Sequence, residues 1–131
     1  MMNDPLPQGV LDSLLLEQRH FKRAPQAFFA AWKRGVEIAG AEWFGGGTRE
    51  GLQRATSKWD LRPRVSRIRD AIGILSSGQR MFLAAMVSIY NAHDGGVMLR
   101  DCGFEGLSDF SGLDLERRQV IAELILHYNG W

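Results

Sequence analysis

Cysteine is almost missing from this chain: Cys102 stands alone among 131 residues. One thiol excludes an internal disulfide and suits a reducing compartment. Long apolar runs are missing as well. The longest, Met81 to Tyr90, is about half a membrane span, so no membrane partner is expected. The opening "MMNDPLPQGV" has no basic region followed by an apolar stretch, which argues against a secretory leader. The expected location is therefore cytoplasmic. Strict alternation of apolar and polar residues is nearly absent, and no Asn-Gly or Asp-Gly joins two alternating runs, which leaves little room for β-structure.

What is present is ordinary globular material. A composition of 45% hydrophobic and 24% charged residues argues against disorder. A length of 131 residues predicts one domain, 1–131, able to bury roughly two-thirds of the surface of its unfolded chain. The net charge of +1 hides an asymmetry: residues 1–80 carry a net +5 and residues 81–131 a net −4. That imbalance reads as a dipolar surface or self-association between unlike ends, with a basic face for an anionic partner as the sharper alternative.

Helical periodicity runs through the chain. Val10, Leu11, Leu14, Leu15 and Phe21 predict a helix over 8–22, which Ala24-Pro25 is expected to break. Pro25 would then open a second helix bearing Phe28, Phe29, Trp32, Val36, Ala39 and Trp43 and stopping at Gly45-Gly46-Gly47. Thr48 suits the N-cap of a third helix holding Leu52, Ala55 and Trp59. Val65, Ile68, Ile72 and Leu75 line a fourth, starting near Pro63. Ser76 and Gln79 have capping-box spacing, opening a helix over 79–90 that is apolar on nearly every side and is expected at the centre of the core. A last helix runs from about Asp114 to Tyr128, while the "VMLRDCGFEGL" stretch before it reads as a short helix or one strand. The fold class is all-α: a compact bundle of about five to six helices around the 79–90 segment.

The stretch "IYNAHDGGV", 89–97, could be a metal loop or a helix stop. A calcium loop needs oxygen ligands at positions 1, 3, 5 and 12 around a glycine at 6. With Gly96 as that glycine, the ligand positions hold Asn91, His93, Gly95 and Cys102, and only one fits. Zinc would need paired Cys and His, and no two of Cys102, His20, His93 and His127 stand three or four residues apart. The helix-stop reading needs only a left-handed Asn91 or glycine, with His93 near a helix C-terminus. No metal and no cofactor is expected. Asn129-Gly130 repeats the device, leaving Trp131 to pack back on the last helix.

Catalytic signatures are thin. Cys102 lies in the acidic half, where neighbouring carboxylates would raise a thiol and work against a nucleophile. There is no Gly-x-Ser-x-Gly elbow. "GGGTREG" precedes a helix N-terminus but lacks the Lys-Ser/Thr of a phosphate loop, and reads as a flexible joint. No catalytic residue and no small-molecule substrate is identified.

Two patterns suggest binding instead. "ATSKWDLRPRVSRIR", 55–69, resembles the helix-turn-helix of DNA readers: Ala55 is the small residue of the first helix, and Val65 and Ile68 are the apolar residues of the second. Trp59 stands where that unit has its turn glycine. The resemblance, extended over 52–72, implies that Arg62, Arg64, Ser66 and Arg67 face duplex DNA. The other pattern is aromatic. Phe28, Phe29, Trp32 and Trp43 are core residues or, if their helix is partly exposed, a hot-spot patch for a protein partner, with Gly35 and Gly40 allowing close approach. The leading expectation is a small cytosolic, non-enzymatic, regulatory helical protein acting through protein–protein interaction or as a homodimer. A DNA-binding regulator is the alternative.

Overall fold

The computed structural model describes residues 6–131, so the first five residues of the stretch read against a leader lie outside it. Six α-helices follow one another: α1 (Gln8–Ala39), α2 (Arg49–Arg54), α3 (Val65–Ala71), α4 (Ser77–Tyr90), α5 (Ala92–Asp101) and α6 (Leu115–His127). Short 3-10 turns at 41–43, 58–61, 72–74 and 107–112 join them. The all-α expectation holds. No helix among the described residues is long and apolar enough to cross a membrane.

The expected break at Pro25 does not occur. α1 is one helix of 32 residues with Pro25 inside it. A proline in a helix interior loses one hydrogen bond and costs about 3 kcal/mol. Here α6 acts as a splint across the weak point. It runs antiparallel to α1, with Glu116 near its start 3.6 Å from Arg34 and the Leu126 carbonyl near its end 2.8 Å from His20 Nε2. Ala24 and Phe28, on either side of the proline, are both buried. The helix ends instead at Gly40, whose φ of 116° is open to glycine and strained for other residues. Trp43 therefore sits in the following 3-10 turn, off the helix.

The triple glycine is a pinned corner, not a loose joint. Phe44 and Pro63 form an antiparallel bridge, with Gly45 N–H donating to the Arg62 carbonyl at 2.8 Å and Arg64 N–H to that of Trp43 at 2.8 Å. Thr48 caps α2 as expected, accepting from Gly51 N–H at 3.0 Å. α2 stops at Arg54, however, and Trp59 lies in the next 3-10 turn.

α4 matches its sequence reading closely. Ser76 and Gln79 exchange both capping-box hydrogen bonds, at 3.3 and 3.0 Å. Phe82 to Val87 are buried without interruption, so the helix is enclosed by the rest of the bundle. Gly35 of α1 lies against Met86 of α4 and Val120 of α6, so the close approach it permits is between helices of the same chain. One apolar core draws on every α-helix, from Trp32 and Leu52 to Leu99 and Leu124.

At 89–97 the outcome is a joint between two helices. Asn91 ends α4 and caps α5 at once: its N–H donates to the Val87 carbonyl at 2.8 Å and its Oδ1 accepts from Asp94 N–H at 3.0 Å. Its φ of −143° is extended, not left-handed, and both glycines lie inside α5. His93 consequently sits in the first turn of α5, not at a helix C-terminus. The "VMLRDCGFEGL" stretch, open between helix and strand in sequence, is helical at its start: Val97–Asp101 complete α5, and its last residue, Leu107, opens a 3-10 turn over Leu107–Gly112.

Three aspartates secure turns in the same way. Asp60 accepts from the backbone N–H of Thr56 and Ser57, Asp109 from Glu105 and Gly106, and Asp114 from Arg117. These bonds to backbone N–H groups, led by Thr56, Glu105 and Arg117 respectively, hold each carboxyl below the ordinary carboxylate range. A pKa lower in the folded than in the unfolded chain stabilises the fold above the unfolded value of about 3.9, and that stabilisation is lost as pH falls through the folded value. Carboxyl titration by NMR is expected to place Asp60, Asp109 and Asp114 below the ordinary carboxylate value of about 3.9. Midpoints at that ordinary value would refute these turn contacts.

Candidate interaction surface

The aromatic patch anticipated for a partner is not on the surface. Trp32 is 0% exposed, Phe28 and Trp43 are buried, and Phe29 is half-buried. Trp32 Nε1–H donates to the Leu61 carbonyl at 2.9 Å, so even its polar edge is turned inward. Phe28 and Trp32 are core for a geometric reason: they lie on the covered face of α1, and Trp43 is buried in the turn that follows it. Trp131 closes the cluster. It packs with ring centroids 4.7 Å from Trp32 and 5.0 Å from Tyr90, on α1 and α4, where packing back on α6 was anticipated.

Arg62, Arg64, Ser66 and Arg67 are all exposed. The two-helix unit that the resemblance implies is not formed. α2 and α3 have six and seven residues, and residues 55–64 between them hold a 3-10 turn and the bridge to Phe44 in place of a tight turn. Both helices touch the 41–43 turn. Arg64 donates to the Glu42 carbonyl at 3.2 Å; Arg67 lies 4.0 Å from the Glu42 carboxylate and 5.7 Å above the Trp43 ring. These contacts turn two of the four side chains toward their own chain.

Cys102 is half-buried. Burial pushes its thiol up, Arg80 opposes this, and Asp101 adds to it. Desolvation, more than the acidic neighbourhood invoked from sequence, disfavours its thiolate.

The feature that sequence periodicity does not distinguish from core is the first third of α1. Every residue from Leu6 to Arg19 is exposed. α6 reaches only to His20, where His127 stacks on the His20 ring at 5.2 Å. Beyond that point α1 extends as an arm about 18 Å long, at 1.5 Å per residue. Its apolar side chains are not scattered. At 3.6 residues per turn, Val10, Leu14 and Phe21 project within about 40° of the direction of buried Phe28. They prolong the core stripe past the body that would cover it. Leu11 widens the strip on one flank, Leu15 lies about 140° round from Phe28, and Glu17 stands within the strip, about 20° from Phe28. Leu14, Leu15 and Phe21 are 45%, 47% and 54% exposed.

The arm is also polar along its length. Asp12 and Glu17 lie in its outer part, and Arg19, Lys22 and Arg23 in its inner part, so 8–17 carries a net −2 and 18–23 a net +3. Periodicity reveals the stripe but carries no information about where the neighbouring helix ends. The chain matches no protein-family model, no curated protein and no solved structure.

Proposed function

We propose that this protein acts by association, without a catalytic centre, through the leucine face of the α1 arm. The observation that carries the reading is the continuation of the core stripe, Phe21, Leu14 and Val10, onto a stretch of helix that, among the described residues, is exposed throughout from Leu6 to Arg19. An exposed apolar face of this kind, here with the single carboxylate of Glu17 set between Leu14 and Phe21, is the usual mark of an interaction surface.

A second copy of the chain is the occupant that the charges favour. Two arms laid antiparallel set the −2 outer part of each against the +3 inner part of the other. A parallel pair would oppose like charges. In that register Val10 and Leu14 of each arm lie about Phe21 of the other, so apolar contact accompanies the charge pairing.

Light scattering across a concentration series tests the proposal. The mass is expected to rise from the monomer's 14.7 kDa toward twice that value above roughly 100 µM, a range suited to a reversible, small interface. A mass that stays at 14.7 kDa up to roughly 1 mM overturns it.

A further inference from the structure

A second feature lies on the other side of Pro25 and does not depend on the arm. A cavity of about 740 Å³ opens between the middle of α1, the 55–59 segment and the residues that follow α6. That volume falls within the range of small-molecule sites. Phe28, Phe29 and Trp59 form its apolar wall, and Lys33, Lys58 and His127 its polar groups. No Asp or Glu side chain lines it.

Lys58 is held where a ligand would meet it. Its ammonium lies 5.5 Å from the Phe28 ring centre, 5.7 Å from that of Trp59 and 5.2 Å from that of Trp131. One N–H donates to the Gly130 carbonyl at 2.9 Å, which leaves two for a ligand. Among the described residues neither Lys33 nor Lys58 makes an ion pair, although Arg34, Arg67, Arg69 and Arg117 all do. A cation among aromatic faces, with no Asp or Glu side chain in the lining, is matched by an anion that carries its own apolar body.

We propose that this cavity binds a small organic carboxylate, its aromatic or branched apolar body against Phe29 and Trp59 and its carboxylate on the Lys58 ammonium, with Lys33 as the second cation. Burial pushes the Lys58 ammonium below its ordinary range, and a bound carboxylate would reverse that shift by supplying the missing counter-charge.

The probe is 1-naphthoate, compared with neutral 1-naphthamide of nearly the same shape, followed through the Trp59 indole N–H signal of the intact protein. Naphthoate is expected to bind with a dissociation constant below about 1 mM, and the amide at least about ten-fold more weakly. Lys58→Arg should keep the preference for the acid and Lys58→Met should abolish it. Lys58→Met also loses the bond to Gly130, so Lys33→Met, which leaves that bond intact, is read beside it and should reduce the preference in part. The proposal is overturned if naphthoate leaves the Trp59 signal unmoved, or if the unaltered protein binds acid and amide alike. It is equally overturned if both methionine variants keep the full preference.

Discussion

Gly95→Ala is expected to destabilise the protein by about 3 kcal/mol, the upper range for overpacking, while Gly96→Ala, one residue away on the same helix, is expected to stabilise it slightly. The contrast follows from the one-residue joint at Asn91, which folds α5 back on α4 so sharply that Gly95 meets the backbone of Ser88. An ideal Cβ at Gly95 would overlap the Ser88 N and Cα atoms, and backbone inside a helix cannot rotate aside as a side-chain tip can. Ser88 donates its hydroxyl to the Ala85 carbonyl of its own helix, at 2.5 Å, and its Cβ also faces Gly95. A Cβ at Gly96 meets nothing within 4 Å. There the usual gain of about 0.5–1 kcal/mol for replacing a helical glycine with alanine should appear. In thermal denaturation the first variant should melt roughly 10 °C lower and the second a few degrees higher. Equal melting temperatures would mean that α4 and α5 do not cross at Gly95.

The second large effect concerns association. Leu11→Asp combined with Leu14→Asp is expected to weaken the dimer at least about 1,000-fold. Complete burial of a leucine is worth about 1.5–3 kcal/mol, and these side chains begin part-exposed, so each loses roughly 1 kcal/mol. The pair removes two from each copy, about 4 kcal/mol in all, or three decades in dissociation constant. Carboxylates facing one another in the interface add to the loss. Both residues are exposed in the monomer, so its own stability should change by no more than about 0.5 kcal/mol. Leu16→Asp is the control: Leu16 is 63% exposed and lies on the opposite flank of α1, away from the Leu11 and Leu15 side of the strip. Orientation has its own test. Asp12→Lys with Glu17→Lys should weaken association, and adding Arg19→Glu with Lys22→Glu should restore it, since the two halves then exchange sign. A Leu11→Asp, Leu14→Asp protein whose mass at high concentration equals that of the unaltered chain would show that the arm is not the contact.

Rules that reach only three or four residues were legible without any coordinates. Thr48, Ser76 with Gln79, and Asp114 were identifiable as helix starts because each cap is a bond between near neighbours. The enclosure of α4 was legible too, since a helix apolar on every side has no other stable place. Pro25 shows where such rules stop. The local cost of a proline is real, but whether it breaks a helix depends on α6, nearly a hundred residues later. Asn91 was recognised as a helix end, yet its bond to Asp94 makes it a helix start as well. The DNA-reader likeness over 52–72 failed as geometry because spacing cannot show that Phe44 bridges to Pro63.

By itself, then, the amino-acid order determined the helical class, most helix starts and the buried centre, because all of these follow from hydrogen bonds and periodicities within a few turns. Tertiary structure alone decided which apolar stripes are covered: Phe28 and Trp32 lie under α6 and Trp131, whereas Val10 and Leu14 on the same face of the same helix are exposed among the described residues. It also decided that Lys58 sits among three aromatic rings. The reason is that burial belongs to a pair of surfaces, and a single stretch of sequence specifies only one of them.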